Sequence, residues 1–111
     1  DFGARGAAFG AMRVSVLHGG GPPGRVQCFR MLLEPDPDVL LWVMHPFVLA
    51  RLVPDRFDVR YDRSSATPAL SVTAQYADVG DSEALELVAR ILKMPKVRAA
   101  TVETIVPKAG T

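Results

Sequence analysis

The sequence has a single cysteine, Cys28. One thiol can form neither an intramolecular disulfide nor a cysteine-based zinc cluster, so the fold must be held by packing, and a reducing, cytoplasmic setting fits. Long apolar runs are missing as well. The longest strictly apolar stretch, Val39 to Met44, stops at His45 and Pro46, whereas a membrane helix needs about twenty such residues. No membrane partner and no secretory signal are expected. Charge of one sign is also lacking: thirteen Lys and Arg against twelve Asp and Glu leave +1, too little to draw a polyanion through the field of the whole protein. Nucleic acid is not supported as a partner.

What is present is an ordinary folding mixture, 49% hydrophobic and 23% charged, far from the composition of disordered chains. Residues 1–12 carry Gly3, Gly6 and Gly10 among alanines without an apolar period. They read as a flexible tail or an expression remnant, and 13–111 as one α+β domain.

Periodicity places the elements. From about Ser82 to Met94, the residues Ala84, Leu87, Val88 and Ile91 fall on one helical face. Asp81 or Ser82 is positioned to cap that helix and Pro95 to stop it. Phe57, Val59 and Tyr61 alternate with charges, and Leu70, Val72, Ala74 and Tyr76 alternate with polar residues, which is the period of strands buried on one side. Residues 64–68 are short enough to close them into a hairpin. Val26–Leu33 and Val97–Val106 are further strands, rich in apolar and β-branched residues. Val39–Met44 fits either a helix or a strand. As a helix it would be capped by Asp36, begin at Pro37 and kink or restart at Pro46. As a strand it would pair back on Val26–Leu33 and leave only 46–53 helical.

The helical option gives an α+β, ferredoxin-like βαββαβ fold: an antiparallel sheet with two helices on one face, and an extra N-terminal strand at Arg13–Leu17. The stretch Ala84–Val106 is similar to the last helix and strand of many ferredoxin-like effector domains, including those of Lrp/AsnC regulators. It carries no diagnostic motif, so no family membership is read from it.

Motifs of chemistry do not assemble. Asp1-Phe2-Gly3 matches a kinase magnesium motif only in letters, since the glycine-rich loop, strand lysine and catalytic loop are absent. Gly19 to Gly24 spells G-x-G-x-x-G, but Pro22 and Pro23 interrupt it and a strand, not a helix, follows. His18 and His45 lack metal-ligand spacing, and Asp36 with Asp38 falls short of a hard-cation shell. No metal or cofactor is expected. Arg51, Arg56, Arg60 and Arg63, interleaved with Phe57 and Tyr61, could stack RNA bases, but Asp55, Asp58 and Asp62 cancel the charge, so ion pairs on a solvated face are the better reading.

Two strands are apolar on both faces, which predicts a second apolar surface built from Phe29, Met31, Leu33, Val97, Ala99 and Ile105. A partner subunit, a ligand or the Arg13–Leu17 segment would cover it. The reading is therefore a non-catalytic assembly or regulatory module, a sheet-mediated homodimer or partner of another protein, with a small ligand at the interface. The alternatives are a small cofactor-free enzyme with a pocket between sheet and helices, using His45 or Asp58 as base, and a weak RNA-binding module.

Overall fold

A computed structural model describes residues 12–17, 25–64 and 66–107, with side chains described for 25–64 and 66–106. Residues 1–11, His18 and the 19–24 segment lie outside the described residues. The elements are β1 (Met12–Leu17), β2 (Val26–Leu33), α1 (Pro37–Leu49), β3 (Arg56–Asp62), β4 (Ala69–Ala77), α2 (Asp81–Leu92) and β5 (Val97–Pro107). They form one sheet in the order β1-β5-β2-β4-β3.

The strands β5-β2-β4-β3 are mutually antiparallel, so β2 runs parallel to β3, and β4 to β5. Each of these parallel pairs is joined by a helix passing over one intervening strand. Right-handed crossovers in opposite directions place both helices on the same face. The domain is ferredoxin-like, as the sequence predicts. The expected extra strand is β1, which lies parallel beside β5 with Met12 opposite Val102. It extends the sheet at its edge.

Local chemistry explains α1. Asp36 is extended, and its carboxylate accepts the Asp38 N–H at 2.9 Å, supplying an acceptor for an otherwise free donor of the first turn. Pro37 follows as the first helical residue, where its missing N–H costs nothing. The helix continues through Pro46, which settles 39–44 as helix. It closes with the Leu52 N–H on the Phe47 carbonyl and the Arg51 N–H on the Val48 carbonyl, each at 3.0 Å. This is the Schellman pattern, and it holds Arg51 at φ 62°.

The start of α2 differs from the expectation. Its N-cap is Gly80, which has no side chain to offer, and Asp81 is already helical. Asp81 does not cap because its carboxylate is held by the side chains of Arg25 and Gln27.

Between sheet and helices lies the main core. β2 contributes Phe29, Met31 and Leu33, β4 contributes Val72 and Tyr76, and the helices contribute Val43, Phe47, Val88 and Ile91. Phe47 and Tyr76 stack with centroids 4.6 Å apart and planes 2° from parallel. Phe29 meets both edge-on, at 4.9 and 5.8 Å. Both are favourable aromatic geometries.

Candidate functional site

The six residues read as one surface divide between two faces. Phe29, Met31 and Leu33 are fully buried against the helices, and Val97 packs there too. Only Ala99 and Ile105 lie on the face away from the helices, at 2% and 8% exposure. The second apolar surface is not assembled as predicted, for two reasons. The odd residues of β2 turn toward the helices, which a strand apolar on both faces cannot reveal. In β5, Leu32 pairs with Ala99 but Leu33 pairs with Val97, so Arg98 is skipped. That bulge swings Val97 to the helix side.

The face away from the helices has a smaller cluster of Val26, Cys28 and Ile105, all buried. Beside it the Arg30 guanidinium pairs with the Glu103 carboxylate at 2.5 Å, Glu103 being almost wholly buried. Burial pushes the Cys28 thiol up, which keeps it protonated and a poor nucleophile. Gln75 Nε2 donates toward its sulfur at 3.9 Å.

On the helix side a polar network anchors the start of α2. Gln27 donates to the Val79 carbonyl at 3.1 Å and to Asp81 at 2.9 Å, and accepts from Thr104 at 3.0 Å. The hydrogen bond from Arg25, then that from Gln27, holds the Asp81 carboxyl below its ordinary value. Every polar atom of Gln27 that the fold buries is thus satisfied, which fits a structural joint.

The candidates for chemistry stand apart. His45 is on the outside of α1, in an open groove of about 610 Å³ lined by Leu41, Trp42, Met94 and Pro95. Asp58 is exposed on β3, on the opposite side of the sheet from the helices. The volume between sheet and helices, where a catalytic pocket was the alternative, is filled by the Phe29, Phe47 and Tyr76 cluster. Among the described residues no group of three His, Cys, Asp or Glu could hold a metal, and no helix is long and apolar enough to cross a membrane.

The RNA-stacking arrangement separates as well. Phe57, Val59 and Tyr61 pair with Ala74, Val72 and Leu70 and so face the helix side. Arg56 and Arg60 pair with Gln75 and Ser71 and face the other way. Arg56 and Arg60 therefore do not share a surface with the rings, whereas the Arg63 guanidinium lies over the Tyr61 ring, 4.8 Å from its centroid, and occupies that stacking face.

The same separation reveals an unusual strand. Among the described residues β3 is the last strand of the sheet and pairs only with β4. All seven of its residues are exposed, including Phe57 at 39%, Val59 at 42% and Tyr61 at 46%. A one-sided burial was expected of this strand, as of β4, but the helices leave the edge open. Its charged side alternates Arg56, Asp58, Arg60, Asp62, with Arg56 Nε 3.1 Å from Asp58 Oδ2. Among the described residues Arg60 has no ion-pair partner. The ion pairs expected on this solvated side come to one contact within the strand, Arg56 with Asp58.

No protein-family model matches the chain, and no curated protein matches it. Among solved structures it is similar to a prephenate dehydratase from Streptococcus mutans, at 11% identity and a TM-score of 0.46. The likeness covers 87% of this chain and 60% of that one.

Proposed function

We propose that this chain is a non-catalytic assembly and regulatory module that works as a homodimer joined through its sheet. One observation carries the reading: an edge strand whose seven residues are all exposed, three of them large and apolar. Natural edge strands are usually short, covered, interrupted by proline or guarded by charge of one sign, because an open edge invites another strand. β3 has no proline and no cover among the described residues, and its four charges alternate in sign. A second copy is the partner always present at the chain's own concentration, and closed twofold pairs are the commonest way to remove such a surface from water.

Regulation follows from assembly. A small ligand bound where two copies meet favours the pair over the single chain by mass action. The measurement is size exclusion coupled to light scattering, backed by sedimentation equilibrium from micromolar to millimolar chain. A dimer is expected. A chain that stays monomeric over that range rejects the proposal.

A further inference from the structure

We propose that two copies join edge to edge through antiparallel pairing of β3 with β3, about a twofold axis at Val59. The inference rests on the homodimer reading above and specifies its surface. Antiparallel pairing is the geometry that a twofold axis perpendicular to a sheet imposes on a strand meeting its own copy, and it leaves the two faces of the sheet where they were.

With the axis at Val59, the sequence Arg56-Phe57-Asp58-Val59-Arg60-Tyr61-Asp62 complements itself. On the open side, Asp58 of each copy faces Arg60 of the other, and Arg56 of each faces Asp62 of the other. On the helix side, Phe57 faces Tyr61 and Val59 faces Val59, so the half-exposed apolar row meets its own continuation. Directly opposed side chains are the ones that interact across strands, favourably for opposite charges and unfavourably for like charges.

The register is specific. A slip of two residues one way sets Asp58 against Asp58 and Arg56 against Arg60. The same slip the other way sets Arg60 against Arg60 and Asp58 against Asp62. A slip of one would oppose residues from different faces. Charges on edge strands commonly keep copies apart; here their alternation admits a copy in the central register and repels its neighbours. Arg60, without an ion pair among the described residues, gains Asp58 of the second copy. Asp58 then lies between Arg56 of its own strand and Arg60 of the other.

The test exploits the symmetry. Asp58→Arg and Arg60→Asp each place like charges opposite one another twice in a dimer, so each variant alone should be monomeric at concentrations where the wild type is dimeric. Mixed in equal amounts, the two variants restore opposite charges at both contacts and should form a heterodimer, recognised by its mass in native mass spectrometry. Circular dichroism confirms that each variant is folded. Independently, Val59→Cys on the axis should give a covalent dimer under mild oxidation, whereas Arg60→Cys, which faces Asp58, should not.

Variants that dimerise alone like the wild type, in a wild type that is itself dimeric, overturn this interface and leave the homodimer reading standing. Monomeric variants that fail to combine on mixing also overturn it. A monomeric wild type removes both.

Discussion

Tyr76 concentrates the tension of the core in one atom. Its ring is stacked on Phe47 and is fully buried, yet its hydroxyl has no hydrogen-bond partner among the described residues. A buried hydroxyl without a partner costs roughly 1–3 kcal/mol of desolvation. Burial also pushes its pKa up from 10.0 to about 12, because the phenolate is worse solvated there than the phenol. The folded state therefore keeps a proton that the unfolded chain loses near pH 10. The stability this contributes is complete below pH 10 and is lost as pH rises toward 12, by about 2 to 3 kcal/mol. Tyr76→Phe should be neutral or stabilising by up to about 1 kcal/mol at pH 7 and should flatten the alkaline fall. Urea denaturation at pH 7 and between pH 10 and 12 measures both. A loss above about 1 kcal/mol at pH 7 would mean that the hydroxyl is satisfied in solution.

At the scale of elements, α1 shows what sequence patterns can and cannot decide. Its beginning was legible because Asp36 and Pro37 have one joint role at a helix start, and the geometry matches. Its extent was not, because Val39–Met44 is apolar on every side and fits either period. Only packing resolves it, with Val39, Val43 and Phe47 buried while Leu41, Val48 and Leu49 stay exposed. α2 was legible from its amphipathic face, but its cap was misjudged, since Asp81 is drawn away by residues from β2 and the segment before it. Long-range partners of this kind leave no local mark. The end of α1 offers the test. Arg51 sits at φ 62° in the helix closure, where a side chain costs roughly 1–2 kcal/mol and glycine does not. Arg51→Gly should raise stability by about 1 kcal/mol, a Tm rise of about 4–8 °C for a domain of this size. Unchanged or lowered Tm in differential scanning calorimetry would show that Arg51 makes a compensating contact.

For the whole molecule, the βαββαβ order was readable from element types alone, because short crossovers of fixed hand leave few ways to arrange four strands and two helices. The proposed assembly surface was not. The strands apolar on both faces, β2 and β5, are central, and their apolar side chains Phe29, Met31, Leu33, Ala99 and Ile105 are already buried in the single chain. The open surface belongs to the edge, and edge position is a property of topology. Pairing about Val59 would make one continuous sheet with the helices of both copies on the same side, held by backbone hydrogen bonds, an apolar row and charge pairs. These respond differently to salt. Cross-strand opposite charges contribute roughly 0.2 to 1 kcal/mol each and the twofold duplicates the Asp58–Arg60 contact, so Arg60→Ala should raise the dimer Kd about 2- to 30-fold. Raising NaCl from about 50 to about 500 mM shortens the screening length severalfold, so it should weaken the wild type more than Arg60→Ala. Neither change should abolish the dimer, because the backbone bonds and the Phe57–Tyr61 contacts carry no net charge. Sedimentation equilibrium at the two salt concentrations reads all four values. Equal salt responses in wild type and variant would mean that Arg60 faces solvent in the dimer, and the charge register would have to be abandoned.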